Sequence, residues 1–587
     1  MYLQNLFSWI PSYIIFAAST QEPTSQGFPP TGFESAAPSD GSPTSGIPTT
    51  GSPTSAGRDD IFQSVSRALI DAGISSQDAL FPPDGVATPQ SQALSWLLDD
   101  DPLQLLAPPG SSSSSNATTA SVALATSTPL ARVLQRYIVV VLYYGTKGET
   151  WVKSDGWMTE AHECDWYGHV CAEVPIKNTP IVDQSSGADR ALIDGNTTDD
   201  VINPGNETTD NEGNTTLTTV ELLLVAMELE ENNLLGEVPN EIGFLQSLTS
   251  LALYGNSLSG SLPSILGSLL ALQKFRLDTN EFSGSLPSEL GRLRDVDDFT
   301  VFENQLTGSI PTDYGKMGRL IRFWASGMML SGPIPTEFGL MVNLEDLYLD
   351  ANELTGAIPS EIGLLQKIND LRLYSNRLTG SLPSQLFGLP ALVTAYLDTN
   401  SLSGSLPSNM SNMTSLVDLQ LFSNRFTGEI PVQIGEIPNL AVLRMEGNDF
   451  TGTIPLTLGT NQQLLRVTLS GNRLDGSLPD NLQLSPLLRR IQVDRNSIDG
   501  TLPDWIGNLS QLASLNVANN RFSGLIPTSL AKLTSLEDLT LEENDLSGAM
   551  PSELCFVPSL LILTADCAGV TPEVICTCCT TCFESFS

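Results

Sequence analysis

The side chains with the most to offer chemically in this sequence are large rings and guanidinium groups held at a fixed spacing, not a catalytic set. Proline recurs every 24 residues from Pro239 to Pro551, fourteen times without a slip. Counting back eleven or nine residues from six successive prolines gives Phe302, Trp324, Tyr348, Tyr374, Tyr396 and Phe422, with Tyr254 two repeats earlier. A row of exposed rings supplies contact area at low entropy cost and suits stacking on a sugar or anchoring a peptide. Arg276, Arg372 and Arg444 share those offsets and have the forked donors that match a carboxylate or sulfate. The competing explanation is that aromatic pairs on neighbouring strands only stabilise a sheet.

A second pattern shares the surface. Asp350, Asp398, Glu446, Asp494 and Glu542 stand nine residues before every second proline. Alternation roughly doubles the distance between like charges on adjacent strands, which is a structural reason for it. Calcium bridging is the functional alternative, but no tight cluster of oxygen ligands is visible. Both histidines, His162 and His169, sit beside Cys164 and Cys171, in a spacing that fits no common zinc module. No phosphate-cradling glycine loop, kinase lysine or D-F-G is present, and a serine triad would have to borrow a histidine from that cysteine pair. No catalytic residue, metal or cofactor is expected.

These residues are positioned by the repeat itself. Gly stands three residues before every one of the fourteen prolines, and Asn seven before all but one, where Met328 replaces it. Spacing this strict means one supersecondary unit stacked on itself. In residues 370–393, Leu371 and Leu373 alternate with polar neighbours, as in a short strand with one buried face. Asn376 can both donate to and accept from backbone groups in the buried turn that follows, so stacked copies predict an Asn ladder. Gly380 permits a tight turn, and Pro383 fixes the backbone before Leu386 and Leu389 return along the convex side. The residues eleven, nine and eight before each proline are expected on the concave surface.

The repeat L-x-x-L-x-L-x-x-N-x-L-x-G-x-I-P, carried for example by LEDLYLDANELTGAIP at residues 344–359, resembles plant-type leucine-rich repeats. The resemblance covers residues 220 to about 560. It implies an α/β solenoid: a right-handed horseshoe with a parallel concave sheet, about 14 repeats of 24 residues, capped at both ends. The Trp151–Cys171 segment, with CDWYGHVC, looks like the N-terminal cap of receptor-like proteins, while TPQSQALSWLLDDDP and LQRYIVVVLYYGTKGETW resemble segments of diatom and algal leucine-rich repeat proteins.

Around the array the chain divides by composition. Residues 1–20 are an apolar segment, a signal peptide or the remnant of a membrane anchor, although no basic residue precedes Arg58. A Pro/Ser/Thr/Gly stalk follows at 21–57, then a helical segment at 58–107 with Thr88 and Pro89 as cap and first turn, and a linker at 108–128. Residues 129–219 form the expected N-terminal cap, carrying an acidic insertion from Asn178 to Thr216. Its helix, or helix plus strand, at 130–151 should lie against the first repeat. The array proper runs from 220 to 554 and a Cys-rich cap from 555 to 587; with five residues after Cys582, no membrane span is expected to follow.

Composition narrows the partners. With 66 acidic and 27 basic residues the net charge is −39, which repels nucleic acid and anionic lipid. Eight cysteines, Cys164 and Cys171 before the array and Cys555, Cys567, Cys576, Cys578, Cys579 and Cys582 after it, suggest disulfide-sealed ends in an oxidising compartment. The six C-terminal cysteines allow fifteen pairings. Sequons at Asn409, Asn412 and Asn508 lie just after a repeat's proline, where a glycan could project; others precede the array, at Asn116, Asn196, Asn206 and Asn214. The resulting expectation is an extracellular or cell-surface recognition protein, secreted or anchored through its N-terminus. It would bind a peptide, glycan or cell-surface protein on its concave face and signal through a co-receptor. The alternatives are a hydrolase inhibitor, since polygalacturonase-inhibiting proteins resemble this array, and a structural or adhesive wall protein.

Overall fold

The computed structural model describes residues 65–99 with short breaks, 130–159, 161–175, 207–209, 215–217, 220–569 and 573–584. The expected N-terminal segment, stalk and linker lie outside the described residues, as does most of the acidic insertion with its sequons.

Every coil follows the same physical logic, seen in residues 370–393. A three-residue strand, Asp370–Arg372, places Leu371 inside, and a second short strand, Arg377–Gly380, does the same with Leu378. After Pro383 a single 3-10 turn, Ser384–Gly388, brings Leu386 inward, and Leu389 and Leu392 complete the fill. Stacking makes each small cluster continuous with the next, which one coil alone could not achieve. The first strands join a 17-stranded sheet that runs from His169–Pro175 to Thr581–Glu584. Its opening pair, His169–Pro175 with Val220–Glu228, is antiparallel; the repeat strands are parallel and in register, Leu347 beside Leu371 and Leu371 beside Ala395. The second strands form further parallel sheets, one of eleven strands and one of four. Sequence reading assigned that stretch only a glycine turn. Gly380 does adopt a left-handed φ of 78°, but it closes a strand.

The predicted ladder is present. Asn424 Oδ1 accepts the Leu402 N–H at 2.9 Å, and its Nδ2 donates to the carbonyls of Leu397, Leu421 and Phe422 at 3.0, 3.2 and 3.3 Å. The ladder is tied off at both ends. Asn232 Nδ2 donates to the Lys153 carbonyl at 2.8 Å, and the buried Asp566 carboxylate accepts the N–H groups of Glu543 and Asn544 at 2.8 and 3.2 Å.

Ahead of the first coil lies a layer of helices. Thr88 and Ser91 cap the helix Pro89–Asp99 reciprocally, each backbone N–H meeting the other's hydroxyl at 2.9–3.0 Å. The longer helix Leu130–Gly145 packs on the array: Gln135 Oε1 accepts the Leu224 N–H at 2.7 Å. Arg136, fully buried, lies 5.2 Å from the Trp96 ring and 4.7 Å from the Trp166 ring, and meets the equally buried Glu163 at 3.4 Å. Cys164 and Cys171 form a disulfide beside it. His169 Nδ1 donates to the Glu163 carbonyl, 2.7 Å away, and burial lowers its pKa to about 4. His162 Nδ1 accepts the Cys164 N–H at 3.1 Å, so both histidines are engaged within this layer. At the other end the cysteines pair 555–578, 567–582 and 576–579. The sulfurs of Cys567, Cys576 and Cys579 come within 4.8 Å of one another, but all three are consumed in those bridges.

Candidate ligand-binding face

Because successive strand side chains alternate, the residues flanking the inward leucine share the concave surface. In Asp370–Leu371–Arg372 those are the residues thirteen and eleven before the proline, and Tyr374 at nine continues the same face. The sequence-based assignment is thus corrected at one position. Residues eight before the proline, such as Ser375 and Thr399, occupy the left-handed turn after the strand, φ 53° and 54°, and lie at the rim. The row at thirteen, which the repeat consensus leaves unmarked, takes their place. It includes Lys274, Asp298, Arg322, Asp346, Asp370, Thr394, Asp418, Val442, Arg466, Arg490 and Ser514. The signal that could have found it was period-two alternation carried one step upstream.

All six predicted rings lie on this face and all are half-buried. They touch one another and the adjacent charges. Trp324 and Tyr348 stack at 5.0 Å with 5° between planes, Phe302 meets Trp324 at 6.2 Å, and Tyr374 meets Tyr396 edge-on at 6.4 Å. The Tyr348 hydroxyl donates to Asp370 at 2.8 Å and that of Tyr396 to Asp418 at 3.0 Å. Burial first, and the facing carboxylate next, raise the pKa of both phenols.

The three predicted arginines are brought into the same network. Arg372 lies 4.2 Å over the Tyr348 ring and holds Asp370 at 2.7 Å; Arg444 lies 4.0 Å over Phe422 and pairs with Glu446 at 2.5 Å; Arg276 sits 4.2 Å over Tyr254. These guanidiniums are therefore already partnered by rings, and two of them by carboxylates as well. Four of the five acidic residues at alternate repeats find hydroxyls on an adjacent strand: Ser326 donates to Asp350 at 2.7 Å, Thr468 to Glu446 at 2.6 Å, Ser470 to Asp494, and Thr564 to Glu542, while Asp398 takes the hydroxyl of its neighbour Thr399 at 3.1 Å. That fits the structural explanation of their spacing. Asp346 is opposite Asp370 on the next strand, and burial followed by that neighbouring charge raises its pKa to about 6. Burial likewise raises Asp398 to about 6.

Two other features bear on function. Asn412 and Asn508 are exposed, whereas Asn409 is half-buried and donates one Nδ2 N–H to the Ser384 carbonyl at 2.9 Å, which leaves only the other for a glycan. An apolar cavity of about 250 Å³ between the N-terminal helices and the first coil is lined by Ile74, Leu134, Ile138, Leu224 and Phe244 among others, and brings no ionisable group to its wall.

Two family models, both for the leucine-rich repeat, match residues 247–269 and 486–546. The chain folds as a leucine-rich repeat solenoid. Solved leucine-rich repeat structures similar to it include a plant peptide hormone receptor, RGFR1, in complex with RGF2, 35% identical with a TM-score of 0.51 over 57% of each chain. A TDR receptor is 32% identical, with a TM-score of 0.55 over 58% of each chain. The ectodomain of the Arabidopsis receptor kinase HAESA, in complex with an N-terminal extended IDA peptide hormone ligand, is 30% identical with a TM-score of 0.50, over 58% of this chain and 61% of that one. The leucine-rich repeat chain thus spans less than two thirds of these structures' lengths, 57 to 61%. No curated protein matches its sequence. Among the described residues no helix is long and apolar enough to cross a membrane.

Proposed function

We propose that this leucine-rich repeat protein is a non-catalytic, receptor-like recognition protein of the cell exterior that captures an extended peptide on its concave face. The observation that carries the reading is the unbroken band of half-buried rings from Phe302 to Phe422, laid across an open parallel sheet. Peptide is favoured over glycan or folded protein because similar ectodomains, RGFR1 and HAESA, are seen with peptide hormones. Four disulfides support an oxidising compartment. Any signal would pass through a co-receptor.

The test is selection from a displayed random-peptide library on immobilised full-length protein. Peptides selected by the wild type should bind the Trp324→Ala/Tyr348→Ala/Tyr374→Ala variant at least about tenfold more weakly, roughly the 1.4 kcal/mol of one lost anchor. A convex-face control, Leu456→Ala, should bind normally, since that side chain is 60% exposed on the opposite surface. The rings pack on one another, so the triple variant will also melt lower. If capture falls only in proportion to the fraction unfolded, the rings serve the sheet alone and the proposal fails.

A further inference from the structure

Most cations on the concave face have an answering group. Arg322 meets Asp298 at 2.7 Å, Arg372 meets Asp370 at 2.7 Å, and Arg444 meets Glu446 at 2.5 Å. Lys274 is in register with Asp298, and Arg276 rests on Tyr254. Arg466 and Arg490 break this rule. They are directly opposite each other on neighbouring parallel strands, both half-buried, and neither side chain makes a hydrogen bond or ion pair with any described residue.

No carboxylate among the described residues lies within ion-pair distance of either guanidinium, and the charges of Asp418 and Glu446 offset only part of the repulsion at Arg466. The flanking positions in the same row are Val442 and Ser514. The nearby acids are engaged: Asp418 takes Tyr396 and Gln420, Glu446 holds Arg444 and Thr468, and Asp494 takes Ser470 and Arg495. Neighbouring strands are about 4.8 Å apart, a spacing at which like charges oppose the pairing. Burial, then the charges of Arg490 and Arg444, lower the proton affinity of Arg466. Two uncompensated guanidiniums side by side are costly in any sheet and unexpected in a chain with 66 acidic and 27 basic residues. Gln492, two residues beyond Arg490 on the same face, adds an amide that also has no side-chain partner among the described residues.

We infer that Arg466 and Arg490, assisted by Gln492, form an anion site on the concave face that takes one oxyanion group, a carboxylate or a sulfate, of the bound ligand. An oxyanion between two guanidinium forks converts their repulsion into charge-assisted hydrogen bonds. The net charge of −39 argues for a single anionic group rather than a polyanion, which the rest of the surface would repel. The inference deepens the proposed function by using the same face, but it does not depend on the rings.

The experiment is thermal unfolding of the full chain titrated with sodium sulfate or sodium acetate, against sodium chloride at matched ionic strength. The proteins compared are the wild type, Arg466→Gln, Arg490→Gln and the triple ring variant. The wild type should show a saturable rise of about 2 °C or more with at least one oxyanion, as expected for a ligand that binds only the folded state. Either glutamine variant should lose that rise while melting no lower than the wild type in chloride, because the repulsion is gone. The triple ring variant should keep the rise, so that failure of the ring proposal and failure of the anion site are told apart. A response to acetate alone assigns the site to carboxylates, to sulfate alone to sulfate esters, and to both to the shared oxyanion chemistry. The same rise in the wild type and in both glutamine variants would be general salt exclusion and an adventitious ion only, and overturns the site. Absence of a saturable rise overturns it as well, and so does a lower melting point of the glutamine variants in chloride.

Discussion

The middle of the concave face and its C-terminal third are built on the same backbone but spend their side chains differently. From Phe302 to Phe422 rings, guanidiniums and carboxylates satisfy one another across strands, as in the Trp324–Tyr348 stack, the Arg372 that covers Tyr348, and the Tyr348 hydroxyl that reaches Asp370. From Thr468 onward the corresponding positions carry Thr468, Gln492, Asn516 and Thr540, and the Arg466 and Arg490 side chains beside them have no partner among the described residues. Richness in aromatic residues is therefore not the same as availability. The region that looks most like a binding surface by composition is also the most internally bonded, and the sparse region holds the charges with nothing to do.

The comparison requires that the two regions differ in side chains and not in scaffold, and the largest expected effect tests that premise. Asn424→Ala in the middle and Asn520→Ala in the C-terminal third should each cost about 3 kcal/mol, because each leaves one buried N–H and several carbonyls unpaired. Denaturant titration of the two variants should give losses that agree within about 1 kcal/mol; a clearly smaller loss at Asn520 would mean that the scaffold itself is looser there. The next effect is about one third as large and separates the side chains. Tyr348→Phe should cost about 1 kcal/mol through its lost bond to Asp370, while Gln492→Ala should stay within about 0.5 kcal/mol of the wild type. Equal losses at the two positions would erase the distinction.

The smallest effect is a pH dependence confined to the middle. Asp346, opposite Asp370, has its pKa raised to about 6, so the fold holds its proton more tightly than the unfolded chain does. The stability this contributes is complete below about pH 4, the ordinary range for aspartate, and is lost as pH rises through 6. The wild-type melting temperature should accordingly fall between pH 5 and pH 7 by more than that of Asp346→Asn. Parallel pH profiles would remove this carboxyl from the account.

Much of the scaffold was legible in residue spacing. Asn376, Gly380 and Pro383 each occupy a backbone position that few other residues tolerate, so their period dictates the coil, the inward leucines and the ladder. The second sheet was not legible, because strands such as Arg377–Gly380 are too short to show alternation, with Leu378 the lone inward residue. Of the candidate site, alternation along the strands sufficed to group the rings from Phe302 to Phe422 on one face of the first sheet. Their mutual stacking and the occupation of Arg276, Arg372 and Arg444 were not foreseen, nor was the row that contains Arg466 and Arg490. The C-terminal disulfide pairing was equally beyond reach, since fifteen arrangements of six cysteines share one sequence.

By itself the sequence determined the repeating unit, because a 24-residue period expresses local constraints: a turn that needs asparagine, a left-handed glycine, a fixed proline. Only the tertiary structure decided which charges meet. Arg372 and Asp370 are two residues apart, but Tyr348 and Asp370 are 22 apart, and Arg466 and Arg490 are 24 apart. Cross-strand neighbours become neighbours only when coil stacks on coil, and it is that stacking, not composition, which leaves one pair of cations without a side-chain partner among the described residues.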